Sequence, residues 1–396
     1  MKTTFKLTAL VIGLVLAAFA LATADQKPSF DVNVYGYFKL DGAYDQNETS
    51  HGNFVMWVNQ QEYDDNDEQF NMTANETRLG INLKGKNYGN INVNAKIEFD
   101  LYASVTGGVA ENKAMLQLRH AYFEVISGQF KLLAGQSWDI VSPLNPSTLN
   151  YPVLWGVGNI GYRRPQVSMW YTMPAGSGTN VTVAGGFFRT IGSNLTPTFS
   201  LALGEETEGA DDGTDAGIPT FQGMLDIKHE SSDWSIRTGV SGLWGELKAE
   251  TNMGNSETYN SWGVNGHLMI SSNSGYGLAG EVYSGSNLGS YFGGILNNST
   301  VDGVNSFGGW GSAWFTPIPK VKFSGGVGVD DPDDKDLGNN TRSKNTAYFG
   351  NIRYSLVPNV TLGLEVSFWE TDYKMSADVT ESYDDVRVQT SFIFNY

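Results

Sequence analysis

The chain has 396 residues, a formal net charge of -17 at pH 7, 47 glycines, 21 Phe, 19 Tyr, 10 Trp and no cysteine. Phosphate binding needs a basic face, so the acidic balance and the lack of any basic run argue against a nucleic-acid partner. The missing cysteines exclude a disulfide scaffold, and a hydrophobic content of 40% argues against a disordered chain.

The N-terminus carries an export pattern. Lys2 and Lys6 precede an apolar run over residues 7–21, which is followed by small residues up to Ala24. This order is typical of a secretory signal peptide. We therefore expect removal of residues 1–24 and one domain over residues 25–396. An uncleaved membrane helix is the alternative, but the run is short for the about 20 apolar residues of a helical span.

Segments with a period of two follow the export pattern. In the first, over residues 30–41, Phe30, Val32 and Val34 alternate with Asp31 and Asn33. This pattern predicts strands with one apolar and one polar face. The same alternation recurs at residues 77–84, 91–100, 221–228, 234–244, 262–270, 276–283, 310–315, 321–329, 348–356, 360–368 and 386–396.

The connections between these segments alternate between short and long. Short ones span residues 230–233, 272–274, 316–319 and 357–359, and long ones span residues 46–71, 139–165, 190–220 and 330–345. This rhythm indicates an all-β fold, a transmembrane antiparallel β-barrel of about 16 strands with short periplasmic turns and long external loops. A large soluble β-sandwich or propeller is the alternative, although no blade-length repeat is present.

The last strand ends on alternating aromatic residues, Phe392, Phe394 and Tyr396. This ending resembles the terminal signature by which bacterial outer-membrane barrels are recognised for assembly. We therefore interpret the three residues as an assembly signal and expect the barrel assembly machinery to be a partner.

Several inner segments resemble the DcaP-like family of Gram-negative outer-membrane porins. They are residues 76–84, 116–123, 133–138, 164–166, 326–334, 348–351 and 362–365. The resemblance covers residues 30–396, and the order and spacing of the segments support it more than any single motif. It implies a 16-stranded trimeric channel for small solutes, anionic ones in some members, located in the outer membrane after export through the periplasm.

The inward phase of the strands predicts the charges that line the pore. The predicted lining residues are Lys39, Arg78, Lys96, Glu98, Arg119, Arg237, Arg353, Glu365 and Arg387. Basic residues dominate this wall, whereas the surplus acid lies mostly in residues 62–68, 205–215, 330–336 and 370–385. We interpret these acidic runs as solvated loops, or alternatively as weak sites for divalent cations that bridge to lipopolysaccharide. No dedicated metal site is predicted.

The third long connection, residues 139–165, predicts a constriction loop folded into the barrel. Its four prolines cannot continue a strand ladder. It begins at Asp139 and ends near Arg163 and Arg164. These arginines are predicted to line a positive eyelet for anions, or alternatively to sit at the rim, paired with carboxylates or lipid headgroups.

Together these features predict a passive diffusion channel for small hydrophilic solutes, with a preference for anionic or dicarboxylate-like ones. The chain has four histidines, none in a nucleophile-like or zinc-binding pattern, so we expect neither an enzyme nor a cofactor. A non-conducting adhesin or structural barrel is the alternative function.

Overall fold

The computed structural model of the chain describes residues 30–61, 67–103, 114–191, 199–200, 205–206, 212–250, 256–298 and 303–396. The predicted signal peptide, residues 1–24, lies outside these ranges. No helix within them is long and apolar enough to cross a membrane.

The described residues are mainly β-structure. The strands are β1 Phe30–Asp45, β2 Gln69–Thr73, β3 Arg78–Gly85, β4 Ile91–Asp100, β5 Gln117–Ser127, β6 Phe130–Trp138, β7 Arg163–Pro174, β8 Thr179–Phe188, β9 Phe199–Ser200, β10 Glu205–Glu206, β11 Thr220–Glu230, β12 Trp234–Glu250, β13 Ser256–Ser272, β14 Tyr276–Ser286, β15 Asn305–Ile318, β16 Val321–Pro332, β17 Thr341–Val357, β18 Val360–Ser376 and β19 Val379–Asn395. One α-helical turn, α1, covers Asp212–Asp215, and 3-10 turns cover Gly289–Tyr291, Gly294–Leu296 and Asp334–Asp336.

The sheet closes on itself into a barrel. β19 pairs antiparallel with β1, with Phe38 opposite Phe394. On the other side of β1, β3 pairs with its first half and β2 with its second half, so β2 and β3 share one position in the wall. Each remaining wall strand pairs with its neighbours in sequence, including β8 with β11. The result is the predicted 16-stranded antiparallel barrel, whose closed wall has no open sheet edge.

The period-two pattern separates the two faces of this wall. Leu79, Val264 and Leu364 are 48%, 55% and 43% exposed on the outer surface. Their sequence neighbours Asn265 and Glu365 are buried inside the barrel. An apolar outer belt suits contact with lipid tails.

Several strand boundaries differ from the sequence prediction. The predicted connection of residues 330–345 is shorter, because β16 continues to Pro332 and β17 starts at Thr341. Asp330 is therefore not part of a solvated loop: it is buried and accepts hydrogen bonds from the Tyr283 hydroxyl and Gly294 N. The acidic run at residues 370–385 does not form a loop, because β18 extends to Ser376 and β19 starts at Val379. Thr371 and Tyr373 continue the alternation as inward-facing residues, with 0% and 5% exposure. The paired strands β18 and β19 therefore extend beyond the apolar outer belt. Arg163 and Arg164 already belong to β7, so the third long connection ends at Tyr162.

Candidate functional site

The segment of residues 139–162, here called the inner segment, enters the barrel and binds the opposite wall. Val141, Leu154 and Val157 are at most 1% exposed. The backbone N–H groups of Ile140 and Val141 donate to Gln222 Oε1 on β11, at 2.9 and 3.2 Å. The inner segment therefore follows the interior wall and does not extend outward into solvent.

Two buried carboxylates hold the middle of the inner segment. Glu281 on β14 accepts from Leu144 N at 2.9 Å and from the Ser142 hydroxyl. Glu365 on β18 accepts from Leu149 N at 2.6 Å and Asn150 N at 3.1 Å. Buried N–H groups left without an acceptor cost free energy, so these two side chains fix the course of the segment.

Basic side chains bind the carbonyl groups of the same stretch. Lys39 Nζ donates to Leu149 O at 3.0 Å, and Arg353 donates to Ser147 Oγ and Thr148 O, each at 2.6 Å. Lys39 also forms ion pairs with Asp41, at 3.2 Å, and with Glu76. Much of the basic charge predicted for the pore wall is therefore used to anchor the inner segment.

Two further loops fold inward against the inner segment. Arg387 pairs with Asp45 at 2.8 Å and donates to Asn53 O at 3.0 Å, which holds the first loop inside. In the loop between β14 and β15, the Phe292 ring stacks on Trp155 at 4.7 Å between centroids, and Phe292 O accepts from Gly156 N at 2.8 Å. Three segments therefore narrow the lumen.

A cavity of about 220 Å³ remains between the inner segment and the wall strands β1, β3, β5, β6 and β7. Its lining includes Arg78, Arg119, Arg163 and one acidic residue, Glu76. Arg119 pairs with Glu98 at 2.8 Å and with Asp100 at 2.7 Å. Arg78 lies 3.7 Å from Glu98, and Lys39 neutralises Glu76.

Arg163 differs from the other two arginines. It is 2% exposed, and its Nη1 and Nη2 atoms are buried without a hydrogen-bond partner. Across the described part of the chain, no carboxylate lies within 4.0 Å of its guanidinium. Its Cζ lies 4.7 Å from the centroids of the Trp138 and Tyr162 rings, so ring faces partly stabilise the charge. Arg163 thus carries a positive charge beside the cavity with no carboxylate partner among the described residues.

Arg164, its neighbour in sequence, has a different role. It pairs with Asp139 at 2.9 Å, and its Cζ lies 3.9 Å from the Tyr291 ring centroid. Burial raises the pKa of the Asp139 carboxyl, and the Arg164 guanidinium opposes that rise. Asp139 also accepts from Gln222 Nε2 at 2.6 Å. The structure therefore does not bring the two predicted eyelet arginines together.

The other predicted lining residues fall into three groups. Lys96 lies 3.3 Å from Glu98, whereas Arg237 on β12 pairs with Asp226 on β11 at 2.7 Å. Lys39, Arg353, Glu365 and Arg387 are anchors of the inward loops. No group of three or more His, Asp or Glu side chains suited to a metal ion occurs in the described ranges.

Sequence reasoning missed several residues of the site. Tyr151 belongs to the inner segment, and its hydroxyl oxygen lies 3.0 Å from both Asp100 Oδ2 and Gln117 Oε1, the two acceptors for its single proton. Glu76 lines the cavity although it precedes the inward phase of β3. Glu76 is the first residue of segment 76–84, which resembles porins, and this resemblance is the sequence feature that could have indicated it.

Comparison with solved structures identifies barrels of similar fold. The outer membrane channel DcaP of Acinetobacter baumannii superposes with a TM-score of 0.70 at 20% identity, over 95% of this chain and 100% of that chain. The anion-selective porin from Comamonas acidovorans gives 0.57 at 12% identity, over 93% and 100%. The trimer form of OmpT, an outer membrane protein of Vibrio cholerae, gives 0.54 at 9% identity, over 93% and 100%.

No protein-family model matches the chain, and neither does any curated protein sequence. The likeness to DcaP confirms the predicted resemblance at the level of the fold, because it covers 95% of this chain and 100% of that one. The chain therefore has the fold of the outer-membrane barrels of the porin and channel type.

Proposed function

We propose that the protein is a passive diffusion channel of a Gram-negative outer membrane that favours small anionic, dicarboxylate-like solutes. The observation that supports this best is Arg163, which lines the cavity and has no carboxylate partner among the described residues. Arg78 and Arg119 border the same cavity. Glu98 and Asp100 pair with these two arginines, so the charge of Arg163 leaves the surroundings of the cavity positive, which favours an anionic solute.

The overall acidity of the chain does not oppose this preference. Much of the acid lies at the external ends of the barrel, for example in the turn Asp334–Asp336 and on Glu370 and Asp384. Charges exposed to bulk solvent are screened beyond about 8 Å at physiological ionic strength. Charges in a confined, low-dielectric passage are screened less, so the arginines of the cavity dominate the selectivity.

The comparisons support the wider part of the proposal. DcaP is described as an outer membrane channel, the Comamonas protein as an anion-selective porin, and one OmpT structure as a trimer form. By analogy we extend to this chain an outer-membrane location, passive transport without enzymatic activity, a homotrimer, and contact with lipid and lipopolysaccharide. These similarities are of fold alone. The proposed solute preference is therefore based on the residues of the cavity.

Reversal potentials across planar bilayers in a salt gradient test the proposal. We expect anion selectivity for the unmodified channel and a shift toward cations for Arg163→Gln. Arg189→Gln is the matched control, because Arg189 is exposed beyond the external end of β8. Cation selectivity of the unmodified channel would contradict the proposal. Equal potentials for Arg163→Gln and the control would remove Arg163 from the ion path.

A non-conducting barrel that acts as an adhesin or structural protein is the second candidate. The observation that favours it is the filled lumen, where Val55, Val157 and Ile295 from three different loops are all 0% exposed. The same bilayer experiment separates the two functions. Discrete conductance steps support the channel, and a barrel that inserts without conducting supports the second candidate.

A further inference from the structure

We propose that Lys322 and Arg353, here called the basic pair, form a second recognition point for the permeating anion, between the inner segment and the periplasmic turns. This inference rests on the proposed channel function and adds Lys322 as a specificity-determining residue separate from Arg163. Its basis is a pair of like charges that faces the lumen from a stretch of wall without acidic residues.

The two cations of the basic pair are direct neighbours across the sheet. Lys322 on β16 lies opposite Arg353 on β17 in the strand register. Both follow the inward phase, because the adjoining residues Phe323 and Tyr354 are 46% and 38% exposed on the outer surface. Like charges directly opposite each other destabilise a sheet. An anion beside them offsets this repulsion, so the pair is suited to binding an anion and not to stabilising the barrel.

Arg353 is held in place by neutral acceptors. Its Nη1 and Nη2 atoms donate to Ser147 Oγ and Thr148 O of the inner segment, each at 2.6 Å. Across the described ranges, no carboxylate lies within 4.0 Å of its guanidinium. Glu365, on the next strand, acts on Arg353 from beyond that distance. Arg353 therefore has a fixed position, and no direct ion pair neutralises its charge.

Lys322 is the cation that a solute can contact. It is partly exposed, and its Nζ lies 5.5 Å from the centroid of the Trp314 ring. No carboxylate of the described residues lies within 4.0 Å of this Nζ. The Trp314 ring fills the space over Gly277, where an added Cβ would approach it to 2.3 Å. The ring face therefore orients the ammonium group, whose N–H donors are left for a solute carboxylate.

The surrounding wall contains no acidic residue. Neither residues 312–329, in β15 and β16, nor residues 349–364, in β17 and β18, include Asp or Glu. Lys320, exposed in the turn before β16, adds a third positive charge at this end. On β11, by contrast, Lys228 pairs with Glu230 at 2.7 Å. The positive potential is therefore strongest at the basic pair, and it attracts an anion that has passed the constriction.

Block of the chloride current by succinate, added on the periplasmic side of a planar bilayer, tests the recognition point. We expect Lys322→Gln to raise the half-blocking concentration about fivefold, as for the loss of a unit charge about 4 Å from an anion in water. Lys322→Arg keeps the charge and should block as the unmodified channel does. Lys86→Gln is the matched control, because Lys86 is an exposed cation in the short connection between β3 and β4.

Equal half-blocking concentrations for Lys322→Gln and Lys86→Gln would overturn the recognition point. The channel function would still stand if Arg163→Gln shifted the reversal potential in the same recordings. The two proposals can therefore fail separately.

Thiol labelling in detergent measures the local charge without conduction. The chain has no cysteine, so Lys322→Cys and Lys86→Cys can each be treated with an anionic and a cationic methanethiosulfonate reagent. The ratio of the anionic to the cationic rate should be about fivefold higher at Lys322→Cys, because Arg353 lies opposite that position. Equal ratios at the two positions would overturn the recognition point even for an anion-selective channel.

Discussion

Replacement of Glu365 should release the inner segment from the wall and widen the lumen. In Glu365→Ala, the N–H groups of Leu149 and Asn150 lose the carboxylate that accepts from them at 2.6 and 3.1 Å. Each buried donor left unsatisfied costs about 1–3 kcal/mol. Asn351 also loses its bond to Glu365 at 2.9 Å. Movement of residues 147–150 off the wall into solvent avoids these costs.

Two measurements should report this release. Single-channel conductance should rise, and a Leu149→Cys variant should react faster with a water-soluble thiol reagent when Glu365→Ala is also present. The chain has no other cysteine, so labelling reports this position alone. Glu370→Ala is the matched control, because Glu370 is exposed further along the same strand. Conductance and labelling rates equal to those of the control would refute the anchoring role of Glu365.

Three further predictions concern the barrel itself. Leu364→Arg should destabilise the barrel in vesicles by about 2–4 kcal/mol if the residue lies near the bilayer midplane; an unchanged urea midpoint would contradict its lipid-facing orientation. Deletion of residues 394–396 should abolish heat-modifiable barrel in the outer-membrane fraction. The reason is that Phe394 pairs with Phe38 where the barrel closes, and Tyr396 N donates to Gly36 O at 3.2 Å. Full recovery of folded barrel would contradict an assembly role. Arg387→Ala should cost about 3–5 kcal/mol in unfolding experiments, because Asp45 is left as a buried, unpaired charge; a loss below about 1 kcal/mol would indicate an ordinary surface pair.

The sequence predicts the wall of the barrel well because its signal is local. Alternation such as Val388 and Phe392 against Gln389 and Ser391 depends on whether a side chain faces the lipid or the interior of the barrel. Even the misplaced boundary at residues 370–385 follows this logic. Trp369, Thr371 and Tyr373 are buried in the folded chain. The charged residues between them obscure this alternation in the sequence.

The interior of the barrel is harder to predict, because its contacts join distant parts of the chain. Glu281 and Leu144 are 137 positions apart, and no local pattern signals their bond. Arg163 and Arg164 are adjacent and identical in type, yet Asp139 neutralises only Arg164. Sequence alone therefore predicts a basic wall without separating the residues that anchor the inward loops from those that line the cavity.

The pairing of β1 with β19 also has a kinetic consequence. Residues more than 300 positions apart close the barrel, as in the pair Leu40 and Phe392. The entropy of closing so long a loop must be lost before these contacts form, and non-local pairing of this kind slows folding. Until the seam forms, the chain exposes two free strand edges and an apolar surface that favour aggregation. Membrane insertion and closure of the seam should therefore be the slow, vulnerable phase of its biogenesis.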